Sequence, residues 1–254
     1  MTVVCLMADP PRPGLVLSEL AATSPLSEAE AADLYAAMLK DTMVAVARSG
    51  GDLLVNYRSE DLLPEAHRDE EGTAEAEIRA LAVSALEDPD EARFEVQVGS
   101  NFSARAGNTM MHLLRDEEVN SAAVVRGDAP FLTRAKIDSL AMKLRTNEVV
   151  LGPSTSGRTA VAGFTEPIDF TDAFVTPELE TLAERATDAG HDVGFTELYG
   201  TVRTGADLLT LVPAIRSRWQ AERLVPGHTA EFVVETGLFV RAVDGEPTLV
   251  RDAE

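Results

Sequence analysis

An α/β fold with a mainly parallel sheet covered on both faces is what the sequence predicts, from three observations. Short apolar runs alternate with helix-patterned stretches along most of the chain, the rhythm of strand–helix–strand units. Two of these runs, residues 122–125 and 149–151, pass straight into loops of small and polar residues. In an open α/β sheet, ligands bind just beyond the carboxyl ends of strands. The 254 residues are 45% apolar and only 5% aromatic, enough for a substantial and mostly aliphatic core.

Each element has its own signal. Residues 3–7 form a short apolar run that ends in the loop ADPPRPG. Residues 27–47 predict a helix, with Ser27 as N-cap and Glu30 three residues on as a capping box. Leu34, Met38, Met43 and Val46 supply its apolar stripe. A strand over 52–57 leads through the acidic loop DLLPEAHRDEEG to a helix around 74–86. Phe94, Val96 and Val98 alternate with polar residues, as in a half-buried strand. A helix over 103–115 precedes the strand at 122–125, and Thr133 caps a helix through 144. Strands over 149–151 and 160–164 follow. Thr176 opens a helix to about 189, closed by Gly190, and a strand over 193–198 leads to a helix over 205–221. Beyond Arg223 the pattern becomes a short helix and a hairpin turning at Asp244-Gly245.

Composition excludes several classes. No apolar run approaches the roughly 18 residues that span a bilayer, and the N-terminal segment lacks the basic region of a signal peptide. Cys5 is the single cysteine, so no internal disulfide forms, and a buried thiol in a reducing cytoplasm is expected. Acidic residues number 43 against 22 basic, a net charge of −21, and Lys40, Lys136 and Lys143 are the only lysines. Such self-repulsion keeps a protein soluble and is screened at molar salt, where the Debye length is about 3 Å. A salt-rich cytoplasm is the expected setting. No basic stripe exists to neutralise nucleic-acid phosphates. His67, His112, His191 and His228 lack ligand spacing, and Ser154 and Ser156 lack a nucleophile-elbow context. Trp219 and Tyr35 are expected to be packing residues, and the acidic run 68–71 a solvated loop.

Six segments carry a family resemblance: PRPGLVLSEL from Pro11, EAADLYAAMLKDT from Glu30, QVGSNFSARAG from Gln97, RGDAPFLT from Arg126, VVLGPSTSGRTAVAG from Val149 and TVRTGADL from Thr201. On these the chain resembles the bacterial and archaeal GT-A-like glycosyltransferase family associated with arsenosugar-type biosynthesis. That family is a branch of the nucleotide-diphospho-sugar transferases. The chain is similar, more distantly, to 2-phospho-L-lactate guanylyltransferase. The resemblance spans about residues 3–208. It implies a three-layer, Rossmann-like GT-A sandwich over 1–208, with a helical and hairpin extension over 209–254 packed on the domain or on a neighbouring subunit.

The Asp-x-Pro-x-Leu-Thr signature is kept at Asp128, Pro130, Leu132 and Thr133, and the PxPG turn at Pro13-Gly14. Gln97 and Arg105 also match, with Asn101 at the family's acidic position. Other positions depart. Leu17 and Glu19 stand where the family has lysine and arginine, Ser156-Gly157-Arg158 replaces Asp-Gly-Gly, and Thr201 and Arg203 replace two aspartates. In such transferases a divalent metal held by carboxylates bridges the donor diphosphate, and basic residues neutralise the leaving phosphates.

The resemblance therefore implies a nucleotidyl- or glycosyltransferase-like protein that binds a nucleotide or nucleotide-sugar with Mg²⁺ or Mn²⁺ at Asp128. Arg12, Gly14, Arg105, Ser156, Arg158 and Thr159 are the expected phosphate and cofactor contacts, with Arg12 substituting for the lost lysine. A second copy of the chain is a further candidate partner; a membrane and nucleic acid are not expected. The competing reading of Asp128 is a loop aspartate bonding nearby amides, that of Arg105 a surface arginine, and that of PSTSGRT an ordinary Ser/Gly loop. At the level of the whole protein, the alternative is a catalytically degenerate member that serves binding or assembly.

Overall fold

The computed structural model describes residues 2–69 and 73–251. The chain begins with β1 (Thr2–Ala8), α1 (Ser18–Thr23), α2 (Glu28–Ala47), β2 (Asp52–Tyr57), α3 (Ala74–Ala85) and β3 (Arg93–Val96). It continues with α4 (Phe102–Met111), which ends in a π turn, β4 (Ser121–Arg126), α5 (Arg134–Lys143), β5 (Val149–Pro153) and β6 (Thr159–Phe164). Last come α6 (Glu178–Asp188), β7 (Val193–Phe195), α7 (Gly205–Gln220), α8 (Gly227–Glu235), β8 (Leu238–Val243) and β9 (Glu246–Arg251).

Seven strands form one sheet in the order β3-β2-β1-β4-β6-β5-β7, with only β6 antiparallel to its neighbours. β1 is buried along its whole length and feeds two cores. Val4, Leu6 and Ala8 pack toward α2, α5 and α7, while Val3, Cys5 and Met7 pack toward α4 and α6. A strand buried on both faces is continuous in hydrophobicity, which is why TVVCLMA shows no alternation. Cys5 is buried as expected, and burial pushes its thiol well above the ordinary thiol range.

The expected mostly parallel sandwich is therefore present, with local differences. The helix expected from Thr176 starts at Glu178, two residues later. The strand at 94–98 stops at Val96 because Gln97 turns inward, donating to the carbonyls of Ala8 (3.2 Å) and Asn56 (2.7 Å). The strand expected over 193–198 is only Val193–Phe195, since its partner supplies pairing from Val149 to Leu151 alone. The short helix α1 has no sequence forecast: Leu17 precedes it in the left-handed region (φ 48) and no side chain caps it. Trp219 is 58% exposed and is not a packing residue. Of the acidic run expected as a solvated loop, Glu70 and Glu71 lie outside the described residues.

The boundary expected after Leu208 falls inside α7, so the extension is joined to the sandwich by an unbroken helix. Asp41 on α2 fastens the extension at a second point. Its carboxylate, 9% exposed, accepts from the amides of His228 (3.0 Å) and Thr229 (2.8 Å) and from the Thr229 hydroxyl (2.6 Å). It thereby caps the first turn of α8 from another helix. Asp41→Ala is expected to cost about 1–3 kcal/mol by stranding those donors. Amide exchange should then speed up in α8 before it does in β1, and uniform loss across the sheet would count against the capping role.

The hairpin is held at its far end by Arg251, which pairs with Glu30, the capping-box residue of α2 (2.7 Å). The Arg251 hydrogen bond lowers the Glu30 carboxyl from 4.5 to about 2. A carboxylate with a depressed folded pKa stabilises fully above its unfolded value and loses that contribution as pH falls toward the folded one. Hairpin protection is therefore expected to weaken between pH 4.5 and 2. Glu30→Gln should show the weakened protection already at neutral pH, and an identical profile for both proteins would refute the contact.

Candidate functional site

The cleft lies beyond the carboxyl ends of β1 and β4, next to each other at the centre of the sheet, the edge at which α/β folds bind ligands. Its volume is about 280 Å³. Met7 and Asp9 come from the end of β1, and Arg126, Gly127 and Asp128 from the end of β4. Gln97 comes from the loop before α4 and Arg105 from α4 itself, Leu17 from the turn into α1 and Glu19 from its first turn, and Arg203 from the loop before α7. Gly127 is required by packing: a Cβ there would meet Leu39 Cδ2 at 2.3 Å. The tight fit of this segment on α2 fixes where Arg126 and Asp128 emerge.

Asp128 is where the sequence placed it, at the end of a buried strand, and it is 6% exposed. Its Oδ2 accepts from Arg203 Nε at 2.6 Å, while Oδ1 is buried with no partner among the described residues. Arg203 Nη1 lies 3.6 Å from Glu178 Oε1, and the same oxygen accepts Arg126 Nη2 at 3.0 Å. Glu178 is 2% exposed, and its Oε2 accepts the Thr159 amide at 3.1 Å. Two carboxylates and two guanidiniums thus alternate: Asp128, Arg203, Glu178, Arg126. The Arg126 guanidinium also lies 3.9 Å from the centre of the Phe102 ring, within cation–π range.

Arg105 occupies the cleft as expected, donating to Gln97 Oε1 at 2.6 Å. Among the described residues no carboxylate is within ion-pair distance of it. Burial lowers the pKa of Arg105, and that of Arg126 too, where Arg203 adds repulsion. Burial acts the same way on Arg203, but Asp128 and Glu178 outweigh it and raise the pKa. Asp9 has a raised pKa from burial, partly offset by its partner Arg58 at 3.0 Å. The amide of Asp9 donates to the Tyr35 hydroxyl (3.2 Å), so Tyr35 forms part of the cleft wall as well as of the core.

The other expected contacts are elsewhere. Arg12 does not reach the cleft, because Glu60, Glu77 and the His67 carbonyl take its guanidinium. Gly14 supplies the left-handed turn beside it (φ 74) and does not line the cleft. The loop at 154–158 is filled by its own arginine: Arg158 bonds Thr155 O (3.0 Å), Thr155 Oγ1 (2.7 Å) and Asp207 Oδ1 (3.0 Å). Ser156, exposed and left-handed (φ 60), points no ligand group at the cleft lining. Thr159 meets Glu178 through its amide, and its buried Oγ1 has no hydrogen-bond partner among the described residues.

Arg126 and Glu178 escaped the sequence reading. Arg126 had a signal, a lone charge closing an apolar strand two residues before Asp128. Glu178 had none, since a glutamate in the first turn of a helix is ordinary.

A divalent cation does not fit this donor set. Hard cations need oxygen ligands from one or two carboxylates plus phosphates. One Asp128 oxygen is already neutralised by Arg203, and a cation at the other would sit beside that guanidinium. Among the described residues no group of three His, Cys, Asp or Glu side chains could hold a metal.

The fold is GT-A-like, and solved structures described as a nucleotide-diphospho-sugar transferase and as cytidylyltransferases share it. Residues 67–176 match the DUF2064 family, described as an uncharacterized protein conserved in bacteria. A protein from Desulfovibrio desulfuricans G20, provisionally assigned as a nucleotide-diphospho-sugar transferase, superposes with a TM-score of 0.73 at 19% identity, covering 92% of this chain and 94% of that one. The 4-diphosphocytidyl-2C-methyl-D-erythritol synthase of Anaerococcus prevotii DSM 20548 gives 0.51 at 12% identity over 85% and 99%. A cytidylyltransferase from Leptospira borgpetersenii serovar Hardjo-bovis gives 0.51 at 10% identity over 92% and 94%. No curated protein matches the sequence. No helix among the described residues is long and apolar enough to cross a membrane.

Proposed function

We propose that this chain is a nucleotidyl- or glycosyltransferase-like protein that binds a nucleotide or nucleotide-sugar in the cleft at the ends of β1 and β4. The observation that carries this reading is the gathering of Arg105, Arg126 and Arg203 around one cavity of a chain with net charge −21. Guanidiniums pair with phosphate oxygens by charge-assisted, often bidentate hydrogen bonds. Arg105, with only a neutral amide partner among the described residues, is the group in most need of an anion. The buried Asp128 Oδ1, an acceptor lacking a donor, suits a ligand hydroxyl such as that of a ribose.

A second reading, a fold retained for binding without turnover, is favoured by Glu19 on the cleft wall and by the capture of Asp128 by Arg203. Thermal unfolding with UDP-, GDP-, CDP- and dTDP-sugars, followed by product analysis, separates the two. A base-selective rise in Tm is expected, because a ligand bound to the folded state stabilises it by mass action. Release of nucleoside diphosphate that depends on an added hydroxyl acceptor, with the sugar recovered on that acceptor, and that is lost in Arg105→Gln, would establish a transferase; binding without such transfer would establish the second reading. The acidic surface fits a salt-rich cytoplasm, so Tm is also expected to climb as KCl is raised to molar concentration. A Tm that falls over that range would overturn this assignment of setting.

A further inference from the structure

We propose that Arg203 takes over the charge a divalent cation carries elsewhere in this fold, so that the cleft accepts a diphosphate without metal. The inference rests on the nucleotide-binding reading above and adds how the phosphates are held. Arg203 occupies the sequence position where the resembling family has an aspartate, and its Nε seizes the one retained aspartate, Asp128, at 2.6 Å. A carboxylate that would ligate a cation is replaced by a cation of the chain's own. That exchange is consistent across the site. The second buried carboxylate, Glu178, is likewise committed, to Arg126 (3.0 Å), to Arg203 (3.6 Å) and to the Thr159 amide (3.1 Å). Among the described residues that line the cleft, Asp9 is likewise paired, with Arg58, which leaves only Glu19 and one oxygen of Asp128 not held by an arginine.

The guanidiniums are left short of acceptors. Arg203 Nη2 is buried with no hydrogen-bond partner among the described residues. Among the described residues Arg105 meets only the Gln97 amide oxygen, and Arg126 is disfavoured by burial and by Arg203. An oxyanion entering between them supplies acceptors to three cations at once. A divalent cation entering the same space meets those three guanidiniums, and of the carboxylates there Asp128 offers one free oxygen, Asp9 is paired with Arg58 and Glu19 stands on the wall. A planar guanidinium, always charged and with its donors in a fork, suits a diphosphate in this role.

Binding of inorganic pyrophosphate and of UDP, GDP, CDP and ADP to the full chain, by calorimetry in EDTA and in MgCl₂ or MnCl₂, tests the proposal. At least one probe is expected to bind as tightly in EDTA as with metal, or slightly more tightly, since Mg²⁺ pairs with the probe in solution. Arg203→Gln, with its fold checked by circular dichroism, should weaken that binding by at least about tenfold, the loss of one charge-assisted pair. Arg203→Asp, which restores the second carboxylate, should make any remaining binding depend on Mg²⁺ or Mn²⁺. Binding by the unaltered chain only when metal is present would overturn the inference and leave the nucleotide-binding reading standing. A flat response to every probe, with and without metal, would overturn both.

Discussion

Replacing Glu178 by alanine is expected to lower the unfolding free energy by about 3–5 kcal/mol, the cost of removing one partner from a buried ion pair. Glu178 is 2% exposed and is the only carboxylate shared by Arg126 and Arg203 among the described residues. Its loss leaves Asp128 alone to balance Arg126 and Arg203, and it strands the Thr159 amide. Glu178→Gln keeps the shape and an acceptor for that amide, so it should cost less than the alanine variant. Denaturant unfolding at neutral pH decides the point. Near-equal stability of the Glu178→Ala and unaltered proteins would mean that the four-residue chain of charges contributes no net stability.

Gly205→Ala is the second large effect. Gly205 opens α7, and a Cβ there would lie 2.0 Å from the Thr23 carbonyl oxygen at the end of α1. The contact is backbone, so no rotamer change relieves it. The Gly205 amide also donates to Thr23 Oγ1 at 2.8 Å, and the α1–α7 joint would have to open to admit the methyl group. Destabilisation of at least about 3 kcal/mol is expected, the upper end of overpacking costs. Gly200→Ala is the control, because nothing lies within 4 Å of a Cβ there. Equal Tm values for the two variants would show that α1 yields freely. The joint matters for the cleft as well, since Leu17 and Glu19 reach it from the same turn and helix.

Much of the fold was legible in the sequence because its determinants are local. The capping box at Ser27 and Glu30 forms as expected, since both partners sit within one helical turn. The Asp244-Gly245 hairpin forms because those two residues accept positive φ (53 and 87). β2 runs from Asp52 to Tyr57 as its apolar run demands. The carboxyl end of β4 was also visible to within a residue, and with it the position of Asp128 at the sheet edge.

The partners of the charged groups were not legible. Arg12 and Arg158 sit in loops that looked ready for phosphate, yet carboxylates from residues far along the chain, Glu60 and Glu77 for one and Asp207 for the other, take them. Asp128 meets Arg203 across 75 residues of sequence, and Glu178 enters the same site from a third segment. By itself the sequence determined most of the strands and helices, though not α1, the sheet edge where a ligand would be met and the excess of negative charge. Only the tertiary structure decided which of the scarce cations face that edge. Helix caps and turns are set by neighbours along the chain, whereas an ion pair is set by which strand ends the topology brings together.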